Sequence, residues 1–167
     1  RKNTNVINKQ ILNIMYYNCS VNMIMKVGGI DRIKYLGSKN RICKYIVPII
    51  QSYIDKYHID TYIEPFVGGA NVIDKIRCNK KIGYDKNKYL IALLQNVDKI
   101  KKFPDSISKS HYDDVRKSFY THNGKYEDWY IGAIGFLASY NGRFFDGGFA
   151  NNAKYMPHSG KIIIRNY

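Results

Sequence analysis

Thr61-Tyr62-Ile63-Glu64-Pro65-Phe66-Val67-Gly68-Gly69-Ala70-Asn71 is the stretch on which the fold turns. It reads as a short buried strand over 61–64 that ends in an acid. A turn fixed by Pro65 and opened by Gly68 and Gly69 follows, ahead of a short helix carrying Val72, Ile73 and Ile76. In an α/β protein such a junction leaves backbone N–H groups bare, and glycine lets a nucleotide-like ligand approach them closely. Glu64 is the unusual part. A carboxylate in the mouth of the turn repels phosphate, so the ligand it suits carries positive charge or hydroxyl donors. The competing reading is a buried acid paired with a neighbouring lysine.

Working downstream, Lys81-Ile82-Gly83-Tyr84 reads as a second strand that stops at Asp85, 21 residues after Glu64. An acid about 20 residues past such a turn suits ribose hydroxyls, because one carboxylate accepts both hydrogen bonds. Asp85 is equally placed to cap the helix that starts near Lys88 and carries Leu90, Ile91, Leu93, Leu94 and Val97. A ligand with an ammonium, a sulfonium and a ribose, such as S-adenosylmethionine, fits an acid-lined turn better than a dinucleotide does.

Upstream, Tyr35-Leu36-Gly37-Ser38-Lys39 precedes a helical pattern. Ile42, Tyr45, Ile46, Ile49, Ile50, Tyr53, Ile54 and Tyr57 recur every three or four residues, which predicts one apolar stripe against a core. Ser38 or Asn40 is the expected cap, and Pro48 is expected to kink the helix. Strand–helix–strand–helix order predicts parallel strands in a doubly wound sheet.

Beyond Pro104 the pattern predicts helices over 111–120 and 127–140, then a loop over 141–160 rich in Gly, Asn and aromatics, with Lys161–Ile164 beginning another strand. Residues 1–30 show no sustained period and are expected to be a poorly ordered lead-in, with Met23 or Met25 as the natural start. The expected division is therefore lead-in over 1–30, ligand-binding part over 31–103, a mainly helical region over 104–160 and the start of a return strand over 161–167.

The chain has 27 Lys and Arg against 13 Asp and Glu, a formal charge of +14, which favours a polyanionic partner. Abundant Lys, Asn, Ile and Tyr would also follow from compositional bias alone. Cys19, Cys43 and Cys78 match neither a disulfide framework nor a zinc-ligand spacing, which points to a reducing cytoplasm. No apolar run reaches membrane-spanning length, so no membrane association is expected. His58, His111, His122 and His158 pair with no nucleophile, and a hydrolase triad has no support.

Three motifs in order, Tyr35-Leu36-Gly37-Ser38-Lys39, Glu64-Pro65-Phe66-Val67-Gly68-Gly69 and Tyr84-Asp85-Lys86-Asn87, resemble those of the Dam-type adenine-N6 DNA methyltransferases. Ser139-Tyr140-Asn141-Gly142-Arg143-Phe144-Phe145 resembles the segment that opens that family's target-recognition region. The resemblance implies a Rossmann-like α/β methyltransferase sheet with a mainly helical recognition insertion. It also implies methyl transfer from S-adenosylmethionine to adenine in double-stranded DNA, by a monomer, in a phage or restriction–modification setting. Carried over, it places Tyr35, Gly37, Lys39, Glu64, Pro65, Phe66, Gly68, Gly69, Asp85 and Asn87 at the cofactor. Asn141, Gly142, Arg143 and Lys154 would lie on the DNA. The family's catalytic tetrapeptide, Asp-Pro-Pro-Tyr or a close relative, is absent from these 167 residues, so no catalytic residue is assigned. In the family the catalytic strand follows the recognition region, and the expectation is an amino-terminal part of a longer enzyme. The alternatives are a truncated DNA-binding module with a residual cofactor pocket and, with least support, a dinucleotide-dependent oxidoreductase.

Overall fold

The computed structural model describes residues 22–24, 35–100, 103, 104 and 106–150. In chain order these form β1 (Asn22–Ile24), a 3-10 turn (Lys39–Arg41), α1 (Cys43–Tyr57), β2 (Thr61–Glu64) and β3 (Lys80–Tyr84). Then come α2 (Lys88–Gln95), α3 (Val97–Ile100), α4 (Lys109–Thr121), α5 (Asp128–Leu137) and a second 3-10 turn (Tyr140–Gly142). Among the described residues no helix is long and apolar enough to cross a membrane.

β3 lies at the centre of a three-stranded sheet, parallel to β2 and antiparallel to β1. Ile63 pairs with Ile82 and Glu64 with Gly83, so the two expected strands end side by side. The expectation of parallel strands holds for β2 and β3, while β1, for which no strand was expected, is antiparallel to β3. β1 falls inside the 1–30 stretch that shows no sustained period. Three residues are too short for an alternating pattern to register, and what holds them is a ladder to β3. The rest of the 1–30 lead-in, Lys154 and the strand expected at Lys161–Ile164 lie outside the described residues.

The segment after the glycine turn is not the expected helix. Residues 71–75 form successive turns. Gly68 and Ala70 hold φ of 51° and 59°, outside the right-handed helical region, so the chain does not enter a helix directly from the turn. The Ile73 N–H donates to the Glu64 carboxylate at 2.9 Å.

α1 runs unbroken through Pro48, and its N-terminal position, Ile42, has no side-chain cap. Ser38 caps the preceding 3-10 turn instead, its Oγ accepting from Asn40 N at 3.3 Å. The single expected apolar stripe divides. Cys43 and Ile54 are buried with Ile46, Val47 and Ile50 against Val72 and Ile76. Ile42, Tyr45, Ile49, Tyr53 and Tyr57 face solvent. Eight apolar positions at this spacing span more than one face, and only one face meets the sheet side.

α2 and α5 form the centre of the molecule. Leu90, Ile91, Leu93 and Leu94 pack with Ala133 and Phe136, and with Val67, Ala70 and Ile73 from the glycine turn. Gly132 permits this approach, since a Cβ there would overlap the Tyr89 carbonyl. The boundary expected at 103/104 therefore leaves no gap in the core. α5 ends at Leu137, short of the expected Tyr140, because Ser139 pairs with Phe149 in a β-bridge and Ala150 N donates to Ala138 O at 2.9 Å.

Candidate functional site

The ends of β2 and β3 bring Glu64 and Asp85 to one rim of the sheet. Val67 N donates to Tyr84 O at 2.7 Å, folding the glycine turn back over the end of β3. The Gly68 N–H then reaches Asp85 Oδ2 at 3.0 Å, while Asp85 Oδ1 accepts from Asn87 N at 2.9 Å. Asp85 is buried, and each of its oxygens carries one backbone donor. A carboxylate oxygen has capacity for a second, so hydroxyl donors can still be accommodated. The expected capping role falls to another residue: Asn87 Oδ1 accepts from Tyr89 N and Leu90 N at 3.0 and 3.2 Å and starts α2.

Glu64 is 5 % exposed. Its Oε1 is paired with the Lys39 ammonium, which also donates to the Phe66 carbonyl, and its Oε2 takes the Ile73 N–H. Burial holds its carboxyl above the ordinary value, against the opposing pull of Lys39 and of the Ile73 N–H. The buried, lysine-paired reading of this acid is therefore the one the geometry supports. Glu64 is not an open charge in the mouth of the turn; Lys39 supplies its counter-ion from the amino-terminal motif. The same burial, with Glu64 nearby, pushes the Tyr62 hydroxyl up to about 12.

Tyr35-Leu36-Gly37-Ser38 is a tight turn closed by Ser38 N to Tyr35 O at 3.0 Å, with Gly37 at φ 84° where other residues are strained. The turn sets the Tyr35 ring against Gly68, where a Cβ would lie 3.2 Å from it. Burial, with the Asp85 charge, raises the Tyr35 hydroxyl. Asn71 joins the same construction: its Nδ2 donates to Ser38 Oγ at 3.0 Å and its carbonyl accepts from Cys43 and Lys75. No role was assigned to Asn71 from sequence, since a lone Asn after two glycines carries no distinguishing signal. Tyr35, Lys39, Glu64, Gly68, Gly69, Asp85 and Asn87 are thus gathered at one rim, with Pro65 half-buried beside them. Phe66 is 76 % exposed.

The second expected group sits on a closed loop from Ser139 to Phe149. Tyr140 N donates to Gly148 O at 2.9 Å across its neck. Ser139 Oγ, buried, accepts from Phe145 N at 2.8 Å and shares a 2.9 Å bond with the Tyr112 hydroxyl. Asn141, Phe144 and Phe145 hold φ of 53°, 39° and 64°. Such conformations cost bulky residues roughly 1–3 kcal/mol each and persist only where packing enforces them. Asn141 and Arg143 are exposed at the tip, and Gly142 between them is buried. Arg143 is paired with Asp146 at 3.1 Å. The Ser139–Tyr112 link and the Gly135 notch beneath Phe144 were missed from sequence. Gly132-Ala133-Ile134-Gly135, small residues three apart in an apolar helix, is the signal that marks close packing there.

The pattern of the family described as D12 class N6 adenine-specific DNA methyltransferase matches residues 35–141. The Type II methyltransferase M.FokI of Planomicrobium okeanokoites is 36% identical over 67 residues, 40% of this chain and 10% of that protein. The chain thus matches only about a tenth of that relative's length. No solved structure matches it.

Proposed function

Because the chain belongs to the D12 class N6 adenine-specific DNA methyltransferase family, we propose that it binds S-adenosylmethionine at the Glu64–Asp85 rim and DNA through the 139–149 loop. In this reading residues 31–103 carry the cofactor part of a Rossmann-like methyltransferase sheet, 104–160 the target-recognition part, and 161–167 the start of a return strand. The observation that carries it is Asp85, buried at the end of β3, joined to the Gly68 N–H and to the N–H of Asn87, the cap of α2.

The residues fit the cofactor. Asp85 is held rigidly by two backbone donors and retains acceptor capacity for two ribose hydroxyls. Gly68, with no side chain, lets the Tyr35 ring pack directly on the turn beside Asp85. Lys39, spanning Glu64 and the Phe66 carbonyl, retains a third ammonium N–H that the carboxylate of a methionine moiety can accept. The cofactor, when bound, supplies an electrophilic methyl group. This chain's own residues hold and orient it; no Asp-Pro-Pro-Tyr sequence is present to activate an adenine amino group. Asn141 and Arg143 at the loop tip suit base-edge or phosphate contacts.

Isothermal titration of the chain with S-adenosylmethionine and with NAD tests the cofactor assignment. Binding of the first alone, lost in Asp85→Ala, is the expected result. Equal binding of NAD, or no effect of Asp85→Ala, counts against it. Methyl transfer to adenine in unmethylated duplex DNA, measured alongside, separates an active enzyme from a module that binds DNA without modifying it.

A further inference from the structure

The strained loop and the glycine turn are joined by a column of rings. The Phe144 ring stands 4.7 Å from Phe136, centroid to centroid, and Phe136 stands 5.7 Å from Tyr35. The edge of Tyr35 fills the space beside Gly68, where a Cβ would come within 3.2 Å. Phe144 reaches this column only because α5 has glycine at 135; a Cβ there would overlap its ring. Phe144 also meets Tyr89 in the first turn of α2, at 5.7 Å, and Phe119 on α4, at 5.2 Å.

Seating Phe144 in that notch requires its φ of 39°, and the adjoining Phe145 requires 64°. Neither is a relaxed conformation for an aromatic residue. Packing around Phe144 therefore holds the loop in a conformation it would not keep unaided, with Asn141 and Arg143 displayed at the tip. Two sites that bias one such element are coupled through it.

We infer that Phe144 is a positioning residue that ties the 139–149 loop to the glycine turn through Phe136 and Tyr35, so that a filled cofactor pocket and engaged DNA strengthen each other. The inference rests on the assignment of both sites made above. A ligand seated beside Gly68 confines the Tyr35 ring. Tyr35 in turn backs Phe136, and close packing passes the constraint to Phe144. DNA held by the loop tip favours the seated state from the other end, and thermodynamic linkage makes the two effects equal.

The test uses the full 167-residue chain. S-adenosylmethionine affinity is measured by titration calorimetry with and without a saturating duplex oligonucleotide. Duplex affinity is measured by fluorescence anisotropy with and without S-adenosylmethionine. The unmodified chain is expected to show mutual tightening of about five-fold or more. In Phe144→Leu and Phe136→Leu that factor falls to about one, while S-adenosylmethionine binding without DNA stays within about two-fold. Phe144→Tyr, which keeps the ring, keeps the coupling. Gly135→Ala fills the notch and lowers the melting temperature. Adding Phe144→Leu to it relieves the overlap and recovers stability without recovering coupling, which separates positioning from a merely structural role. Absence of coupling in the unmodified chain, or undiminished coupling in Phe144→Leu, overturns the inference and leaves the cofactor assignment intact. Failure of the unmodified chain to bind S-adenosylmethionine at all overturns the function proposed above.

Discussion

A buried carboxylate held by a lysine on one oxygen and a backbone N–H on the other responds differently to the loss of each partner. Lys39 is 30% exposed along its side chain and Glu64 6%. Lys39→Met strands the carboxylate in a dry site, whereas Glu64→Gln strands only an ammonium that can turn into water. Gln also keeps an acceptor for the Ile73 N–H. Chemical denaturation at neutral pH is expected to show Lys39→Met less stable by about 2 kcal/mol and Glu64→Gln within about 1 kcal/mol of the parent. The reverse order would mean that the carboxylate is not the costly member of the pair.

The same residue has a pH signature. Burial, the largest influence, holds the Glu64 carboxyl above its ordinary 4.5. In that window the folded chain keeps a proton that the unfolded chain has lost, so unfolding releases one and stability falls as pH rises. The contribution is fully present below 4.5 and is lost through the folded value. Denaturation midpoints measured in steps from about pH 4 to about pH 7 should decline less in Glu64→Gln than in the parent. Parallel curves for the two proteins would rule this out. Glu64 and Lys39 were both identifiable from their motifs, but their pairing across 25 residues was only one of two readings. Distance in sequence says nothing about whether an acid is left open or neutralised.

Among the elements, α1 and α5 show what an apolar pattern does and does not specify. Periodicity places a helix at 43–57 and cannot choose which of two apolar faces meets the core. Ile54 is 7% exposed and Ile49 60%. Ile54→Ala should therefore cost about 2–4 kcal/mol and Ile49→Ala no more than about 0.5 kcal/mol, measured by urea unfolding. Comparable losses at both positions would show that the second face is also covered in solution. In α5 the apolar run reads as a longer helix than forms, because pairing between Ser139 and Phe149 captures the backbone just beyond Leu137. Gly132→Ala should cost well over the roughly 1 kcal/mol expected from strain alone at exposed turn glycines such as Gly124, since the obstacle is the Tyr89 backbone rather than a movable side chain.

On the scale of the whole molecule, charge is the dominant property. A formal excess of +14 makes association with a polyanion strongly dependent on salt. Duplex binding by the chain should weaken steeply with ionic strength, and Arg143→Ala should reduce the slope of log K against log salt by about one if that guanidinium touches a phosphate. An unchanged slope, with affinity lost, would move Arg143 from phosphate to base contact.

The sequence by itself determined the motifs, their order, the strand–turn–strand frame around 61–85 and the helices that follow. These depend on local periodicity, glycine and proline chemistry, and spacing, all of which are written along the chain. Tertiary structure alone decided that Glu64 is neutralised by Lys39, that Asn87 rather than Asp85 starts α2, that turns replace a helix over 71–75, and that Phe144 sits over Gly135. Apart from the Asn87 cap, which is local, each of those outcomes joins groups that are not neighbours in sequence. Burial and close packing settle them only once the chain has brought those groups together.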